Sequence, residues 1–428
     1  MLELLIVGLA FQSQPAAPAP DATSAATAAI VEAAAPADCV RALQAFVGRR
    51  QQEVRRPEGF TAQLIRQVET ERAALAKTCI ARFPEDRLPA TQLPGLSELY
   101  TQAGDAERAG AVLSRAMAAP LPPADRSRVL ATAINVTLTE PKGDERNARL
   151  ERMIDELDAI KEAPFDQVFG AHRRLLGYYR GDDIDAGIVK HATWIASAAK
   201  TFTPEDRQKY GRDVVRSQIS MAEALAGQAH NDEALALLRR VEKEWTDIPV
   251  THGYVAPAIE RYSLVGTAAA PVVAPRWLNA PSDMKEMPMD GAVTLLEFTA
   301  HWCGPCRESY PGVNRLRAQF ASQGFRVVMV TRYWGYFSKD GKTERPLAPA
   351  DELARDADYF KGYSLDVPVA IGDESAGVDV NDGNYKVSGI PQIHLIDRKG
   401  RIRLIMIGYD EANEPKLAEQ IRKLLAEK

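Results

Sequence analysis

Two cysteines separated by two residues, Cys303 and Cys306, have the side-chain type and spacing best suited to chemistry in this sequence. They stand between an apolar run, Val293–Thr299, and a stretch of helical periodicity at 307–323, so Cys303 is expected at the N-terminus of a helix. Free backbone N–H groups and the helix dipole stabilise a thiolate there. The short spacer brings both sulfur atoms within bonding distance, and Pro305 fits a first turn that needs no N–H at that position. The pattern predicts a redox-active dithiol.

A zinc site is the alternative interpretation of a C-x-x-C pair. Structural zinc takes four ligands, usually Cys or His. The other two cysteines, Cys39 and Cys79, stand in a region of different character, no second C-x-x-C exists, and the six His residues are scattered without paired spacing. We therefore expect no metal and favour redox chemistry at Cys303 and Cys306.

An acidic residue, Glu297, interrupts the apolar run six residues before Cys303. Burial of a carboxylate in such a strand is costly and raises its pKa. A carboxyl group that titrates near neutral pH can exchange a proton with a thiol. Glu297 is therefore a candidate catalytic residue, and exposure at a strand end is the alternative.

Short apolar runs that alternate with helical stretches predict an α/β fold for the C-terminal part of the chain. Val293–Thr299 and Phe325–Thr331 are continuous apolar runs rich in β-branched residues, which is typical of strands buried on both faces. The helical stretch between them predicts a β-α-β unit and a parallel strand pair. We expect a mixed sheet with helices on both faces. Further strands and a closing helix are expected at 367–371, 392–396, 401–407 and 414–427.

The segment at 296–307, L-E-F-T-A-H-W-C-G-P-C-R, resembles thioredoxin, and within that superfamily it is most similar to the exported TlpA/ResA group. Pro311, five residues after Cys306, matches the helix-kinking proline of these proteins. The G-I-P sequence at 389–391 matches the segment that carries their cis-proline. The resemblance covers roughly residues 270–428.

This resemblance implies roles for individual residues. Pro391 is expected to be cis and to lie beside the dithiol, which leaves the backbone of Ile390 free to pair with a bound substrate strand; an ordinary trans proline at a strand start is the alternative. Glu297 matches the position of thioredoxin's buried acid. Substrate contacts are also implied for three residues around the cysteines: Trp302, Gly304 and Pro305.

In one respect the chain departs from the TlpA/ResA pattern. That group commonly has an acid three residues after the second cysteine, whereas this position is Ser309 here, with Glu308 one place earlier. One residue on a helix is a rotation of about 100°, so Glu308 is expected to face elsewhere. His301 is expected in a solvated loop. Four aromatic residues after the second strand form either an apolar platform for substrate or a seal over the core: Tyr333, Trp334, Tyr336 and Phe337.

Residues 38–266 have period-3.6 apolar positions broken by Pro or Gly, which predicts an all-α domain. Helix–turn–helix units recur at steps of 39, 38 and about 50 residues, within the range of helical-hairpin arrays. We predict a tetratricopeptide-like array that offers a surface for a protein partner, with a plain helical bundle as the alternative. The turns are expected at Gly104-Asp105, Gly143-Asp144, Gly181-Asp182 and His230-Asn231-Asp232.

Changes in composition divide the chain into several domains. In residues 13–37, Ala and Pro supply 16 of 25 positions, so residues 1–37 are expected to be a signal segment and a disordered tether. Residues 267–275 are an Ala/Pro/Val linker. The expected fold is thus an all-α domain at 38–266, followed by an α/β thioredoxin-like domain at 276–428.

The N-terminus favours export. An apolar stretch, Leu4–Phe11, is typical of the central part of a secretory signal, although the first basic residue is Arg41 and the usual positive start is missing. The stretch is too short to span a bilayer, and no later segment reaches 18 apolar residues. We expect a periplasmic or otherwise exported protein, and a cytosolic location stays open.

Cys39 and Cys79 lie on either side of an expected helical hairpin, whose turn is P-E-G at 57–59. An antiparallel hairpin would bring the two sulfur atoms together at its open end. A structural disulfide is expected there, which would suit an oxidising compartment. Two buried thiols without a bond are the alternative.

These features together predict a thiol–disulfide oxidoreductase. Cys303 is the expected nucleophile and Cys306 the resolving thiol. The Gly-Pro spacer resembles reducing members of the superfamily, so we expect a reductant of protein disulfides that depends on an upstream thiol donor and needs no bound cofactor. A formal charge of −5 argues against a nucleic-acid partner. One alternative is a helical scaffold with an accessory redox domain. The other is thiolate copper handling, with His301 or His394 as an added ligand.

Overall fold

A computed structural model describes residues 22–54, 62–181, 185–339, 342–373, 379–409, 411 and 413–427. The predicted signal stretch and the turn at 57–59 lie outside these residues. The chain divides into two compact units, Met1–Gln167 and Val168–Lys428, which we call the N-terminal unit and the C-terminal unit. No helix within the described ranges is long and apolar enough to cross a membrane.

The N-terminal unit is helical throughout its described part, as the period-3.6 pattern predicts. A turn at Gly104, where φ is +82°, joins two antiparallel helices. Asp105 caps the second of them by accepting the N–H of Arg108. The helices are α1 (Ala22–Glu32), α2 (Pro36–Val54), α3 (Ala62–Arg82), α4 (Leu93–Gln102), α5 (Ala106–Ala118), α6 (Pro123–Thr137) and α7 (Asp144–Ala159).

The expected turns agree with these helix ends, and the tetratricopeptide-like assignment stays a prediction. The turn at 104–105 separates α4 from α5, and that at 143–144 precedes α7. Between Gly181 and Asp185 the chain lies outside the described residues.

Part of the predicted tether is helical rather than disordered. In α1, the side chains of Ala22, Ala26 and Ile30 are buried in a cluster that includes Leu43 of α2. Alanine has the highest helix propensity, and a face of small residues allows close approach of the neighbouring helix. The Ala-rich composition was therefore compatible with a packed helix.

Cys39 of α2 and Cys79 of α3 lie together, in agreement with the expected hairpin. Both are fully buried in the cluster that also contains Leu43. The structure holds them as two thiols joined by a side-chain hydrogen bond, without a disulfide. Burial raises the pKa of both thiols, so neither is a ready thiolate.

The C-terminal unit combines helices with a six-stranded mixed sheet, as the sequence predicts. Its central strands are parallel to each other and buried on both faces. The helices are α8 (Phe165–Gly181), α9 (Asp185–Ala198), α10 (Pro204–Gly227), α11 (Asn231–Glu244), α12 (Ala256–Tyr262), α13 (Gly304–Phe320), α14 (Pro349–Gly362), α15 (Val380–Asn384) and α16 (Asn413–Ala426).

The strand order of the main sheet is β10-β9-β4-β5-β8-β2. β4 is parallel to β5, and β5 to β8, whereas β9, β10 and β2 run antiparallel to their neighbours. Two small hairpins lie outside it, β1 with β3 and β6 with β7. The strands are β1 (Val272–Val273), β2 (Arg276–Leu278), β3 (Glu286–Met287), β4 (Val293–Phe298), β5 (Phe325–Arg332), β6 (Phe337–Lys339), β7 (Lys342–Glu344), β8 (Val369–Gly372), β9 (Gln392–Ile396) and β10 (Ile402–Ile407).

The predicted linker at 267–275 is paired with the sheet instead of running free. Gly266 donates its N–H to the carbonyl of Ile402 at 2.7 Å, and Ile402 donates to Thr267 at 3.0 Å. β10 is an edge strand, so its outer backbone groups need partners, and this segment pairs with those of its first residue, Ile402. Helices α8–α12 accordingly belong to the same compact unit as the sheet. The division at 266 into a helical and a thioredoxin-like domain stays a prediction.

Mild oxidation is expected to join Cys39 to Cys79, because their thiols already touch. The bond would close a loop of about 40 residues, and the chain-entropy model gives about 4 kcal/mol of stabilisation before native strain is subtracted. Non-reducing peptide mapping, followed by urea unfolding of both forms, measures the bond and its effect. A Cys39→Ser variant is the control and should show no oxidant-dependent change. Protein that stays unbonded in an oxidising compartment would contradict the structural disulfide.

Candidate redox site

The dithiol lies where β4 passes into α13. Cys303 is the N-cap residue of α13 and Cys306 lies in its first turn, where the N–H of Cys306 points at the Sγ of Cys303, 3.2 Å away. A free N–H at a helix N-terminus stabilises negative charge on that sulfur. The two cysteines form a disulfide in this structure. Cys303 is 3% exposed, whereas Cys306 is fully buried, so the N-terminal sulfur is the more accessible one.

The segment before β9 lies against the dithiol. The Ile390–Pro391 peptide bond is cis, as the resemblance implies. The Sγ of Cys303 lies 3.7 Å from the carbonyl oxygen of Ile390, and the carbonyl of Pro391 accepts the N–H of Gly408 at 2.8 Å. The backbone next to the reactive sulfur is thus held by the end of β10.

Aromatic residues flank the dithiol on another side. Trp302 is 38% exposed, and its ring meets that of Trp334 edge to face, with centroids 5.0 Å apart. The guanidinium of Arg332 lies over the ring of Trp334, 4.3 Å from its centroid. Phe337, in contrast, is buried in the core. Phe337 therefore seals the core, as one of the two alternatives expects, and Trp334 packs partly against the same core. A substrate platform at these rings stays a prediction.

Glu297 is fully buried on β4, so exposure at a strand end is wrong. Its Oε1 is 2.7 Å from the hydroxyl of Ser309, and its Oε2 has no hydrogen-bond partner among the described residues. Burial raises the pKa of Glu297 to about 8, and the Ser309 hydrogen bond only partly opposes this. The carboxyl group is therefore mostly protonated at neutral pH.

Ser309 holds Glu297 through a hydroxyl that can reverse its hydrogen bond. Its Oγ lies 2.7 Å from Glu297 Oε1 and 2.7 Å from the carbonyl oxygen of Cys306. A hydroxyl has one proton, and a carbonyl oxygen only accepts. When Glu297 is protonated, its OH can donate to Ser309, which then donates to Cys306; when Glu297 is ionised, Ser309 can donate to it instead. Ser309 occupies the position at which the TlpA/ResA group commonly carries an acid. Here its hydroxyl is hydrogen-bonded to an acid on β4, Glu297.

The two histidines near the site are buried and separately bonded. His301 is 1% exposed, so the expected solvated loop is wrong; its Nδ1 accepts the N–H of Ser338 at 3.0 Å. The Nε2 of His394 lies 2.8 Å from Gln392 Nε2. Desolvation lowers the pKa of both histidines. Within the described residues, no group of three or more His, Cys, Asp or Glu could hold a metal ion.

A buried acid pair on α14 supports the loop after β5, a role that the sequence alone does not predict. Glu352 accepts the N–H of Trp334 at 2.6 Å and that of Gly335 at 2.9 Å. Asp356, one turn later, has its pKa raised to about 8 by burial and by the charge of Glu352. The signal available in the sequence was two acids four residues apart on a helix. The sequence does not show that these side chains face inward, because that orientation depends on the loop after β5.

Comparisons with known proteins match the C-terminal part of the chain. A family model described as Redoxin matches residues 268–421. Thioredoxin-like protein YneN of Bacillus subtilis (strain 168) is 30% identical over 118 residues, which is 28% of this chain and 58% of YneN. The thiol-disulfide oxidoreductase ResA of Bacillus cereus is 26% identical over 136 residues, 32% of this chain and 65% of ResA. The chain thus spans about three fifths of the length of these relatives.

Solved structures with similarity to the same part include a thiol-disulfide isomerase from Corynebacterium glutamicum and StoA from Bacillus subtilis. The first has 18% identity and a TM-score of 0.30, covering 38% of this chain and 98% of its own. The second has 21% identity and a TM-score of 0.25, covering 35% and 96%. From the family match and the sequence relatives, the chain carries a C-terminal Redoxin domain similar to the ResA-type thiol–disulfide oxidoreductases.

Proposed function

We propose that this protein is a thiol–disulfide oxidoreductase that reduces disulfides of other proteins. The observation that carries the proposal is the position of Cys303, which caps α13 and lies 3.7 Å from the carbonyl oxygen of Ile390, next to the cis bond at Pro391. This arrangement combines a stabilised thiolate with the backbone of a half-buried residue, Ile390, at which a substrate strand can pair.

The reaction is two successive thiol–disulfide exchanges. In the reduced protein, the Cys303 thiolate attacks one sulfur of a substrate disulfide, and the other substrate sulfur leaves as a thiolate that takes up a proton. The Cys306 thiolate then attacks Cys303 in this mixed disulfide and releases the second substrate thiol. The substrate gains two electrons and two protons, and the Cys303–Cys306 disulfide forms. An upstream dithiol donor returns the two electrons and two protons, so no bound cofactor is required.

Glu297 is proposed to move the proton of Cys306. Cys306 must lose its proton before it can attack the mixed disulfide, and it is fully buried away from water. Glu297 is buried as well, and Ser309 contacts both Glu297 and the Cys306 carbonyl. With a pKa of about 8, the ionised fraction of the carboxyl can accept a proton from the thiol near neutral pH, and the protonated form can return it.

Substrate contacts are proposed at the surface around Cys303. The backbone of Ile390 would pair with an extended substrate segment, and Trp302 would cover its apolar side chains. Gly304 and Pro305, in the first turn of α13, have no large side chain that would obstruct the approach of a second sulfur. The helices of residues 38–266 are proposed to bind a protein partner. The protein would then act as a scaffold as well as an enzyme.

Reduction and export are further parts of the proposal. The Gly-Pro spacer resembles reducing members of the superfamily, which supports a reductant over an oxidant. The apolar stretch at 4–11, which lies outside the described residues, supports a periplasmic or otherwise exported location. An insulin-reduction assay separates the enzyme from a scaffold, because a scaffold with an incidental dithiol would not turn over.

The Cys306→Ser variant should accumulate mixed disulfides with protein substrates through Cys303, because only the second thiol can resolve them. Cys303→Ser should form none and should lose insulin reduction. Both variants are best made in a Cys39→Ser/Cys79→Ser background, so that no cysteine outside the dithiol can form the trapped disulfide. Non-reducing gels with mass spectrometry measure the adducts, and alkylation below neutral pH should label Cys303 of the reduced protein first. Faster labelling of Cys306 would reverse the assignment.

Glu297→Gln should fold normally and slow the resolving step at neutral pH, because an amide nearly conserves volume but accepts no proton. Its stability should also depend less on pH. The folded pKa of Glu297, about 8, exceeds the ordinary value of 4.5, so the native state binds a proton that the unfolded state has released. Stability should therefore fall between these pH values by up to about 1.4 kcal/mol per pH unit, and the variant should lack this slope.

Urea unfolding at pH 5 and pH 8, with stopped-flow kinetics of mixed-disulfide resolution, measures both effects. Glu419→Gln, at an exposed acid of α16, is the matched control and should behave like the wild type. Equal resolving rates in Glu297→Gln and wild type from pH 6 to 8 would reduce Glu297 to a structural residue.

A further inference from the structure

A cleft of about 510 Å³ opens beside the dithiol, entirely within the C-terminal unit. One wall comes from the Redoxin domain, with Glu308 of α13, Gly408 after β10 and Lys416 of α16. The facing wall comes from helices that precede this domain, with Gly177 of α8 and Glu223 of α10. A volume in this range accommodates a ligand of several hundred daltons, which corresponds to a few residues of a polypeptide.

One edge of the cleft, at Gly408, lies next to the segment that carries the cis bond. Glu308 is two residues after Cys306. Gly408 donates its N–H to the carbonyl of Pro391 at 2.8 Å, and the carbonyl of the residue before Pro391 is the one that lies 3.7 Å from Cys303 Sγ. A chain paired with Ile390 would therefore lie next to this edge of the cleft.

The helical wall is fixed to the segment that carries the cis bond. Arg261 of α12 is 3% exposed and donates a hydrogen bond of 2.6 Å to the hydroxyl of Ser388, two residues before Ile390. Tyr262, next to Arg261, is itself one of the cleft residues. The wall and the substrate-pairing backbone are thus positioned by adjacent residues of α12.

Glycines leave the interior of the cleft open. At Gly177, Gly227 and Gly408, an added Cβ would meet no heavy atom within 4 Å. Two of these glycines lie in helices α8 and α10, where alanine would be the more stable residue. Their effect is to leave room for another chain at these points.

The charges of the cleft are balanced except at the end nearest the dithiol. Arg180 pairs with Glu223 at 3.2 Å, and Lys416 with Asp185 at 3.0 Å. Glu308 is exposed, and no ion pair of it is found in the part of the chain that the structure describes. An unpaired carboxylate at this end favours a cation on the bound molecule.

We propose that the cleft binds the extended segment that flanks the reactive cysteine of a protein substrate, with a basic side chain of that segment opposite Glu308. The proposal rests on the proposed function and gives it a substrate class. Helices α8 and α10 are then part of the substrate site. They do not contribute to the binding of a disulfide that has no flanking chain.

The test compares two kinds of disulfide with the full-length reduced protein. One probe is hydroxyethyl disulfide. The others are ten-residue peptides with one central cysteine, each linked to its own copy by a disulfide and carrying Lys, Gln or Glu on both sides of the cysteine. Gly177→Phe fills the cleft, and Gly110→Phe places the same residue on α5 of the N-terminal unit, where an added Cβ also meets nothing within 4 Å.

The ratio of kcat/KM for the Lys peptide to that for hydroxyethyl disulfide should fall at least about tenfold in Gly177→Phe, equivalent to losing one good contact, and should not change in Gly110→Phe. Glu308→Gln, an exposed substitution with no folding risk, should reduce the preference for the Lys over the Gln peptide by about two- to fivefold, as expected for an exposed ion pair. Unchanged ratios in both Gly177→Phe and Glu308→Gln overturn the proposal. If the wild-type protein reduces neither kind of probe, the proposed function itself fails.

Discussion

The register between β4 and β9 is the constraint on which the rest of the site depends. These strands are antiparallel, with Phe298 opposite Gln392, so the chain that leaves β4 toward Cys303 and the chain that enters β9 from Ile390 meet at the same end of the sheet. A slip by one residue would turn every side chain of a strand to its other face. It would turn Glu297 away from Ser309 as well. The pairing of β4 with β9 therefore fixes the positions of the dithiol, the cis bond and the buried acid.

The buried carboxyl of Glu297 shows how the site combines stability with reactivity. An ionised carboxylate without full hydrogen bonding is costly inside a core, and Glu297 Oε2 has no hydrogen-bond partner among the described residues. Protonation removes most of that cost, and the raised pKa follows from it. Ser309 stabilises Glu297 in both protonation states. Its hydroxyl can accept a hydrogen bond from the protonated carboxyl and can donate one to the carboxylate.

Local patterns in the sequence predict the parts of this site that depend on local structure. Residue types and hydrophobic periodicity predict three of these parts: the C-x-x-C pair at a strand–helix junction, the strand Gln392–Ile396 and the burial of Glu297. The contact between Ser309 and Glu297 was not predicted, because the sequence shows that a helix has a buried face but not which residue of another element meets it. The same reason explains the segment at 267–275, whose Ala/Pro/Val composition indicates a linker but whose backbone pairs with the start of β10 at Ile402. The helix α1 was missed because an Ala-rich stretch packs only when a complementary groove exists.

Reactivity and substrate choice have separate physical origins in this arrangement. The helix terminus at Cys303 and the buried acid Glu297, which Ser309 links to the Cys306 carbonyl, belong to the Redoxin domain alone. Helices α8–α12 meet the site at the cleft, at the hydrogen bond from Arg261 to Ser388 and at the ion pair of Glu260 with Lys386. Because Arg261 is buried, that bond holds the backbone before Ile390 in place. Changes in the helices can therefore alter which polypeptides fit beside the dithiol while the residues that form and break the sulfur–sulfur bond stay the same.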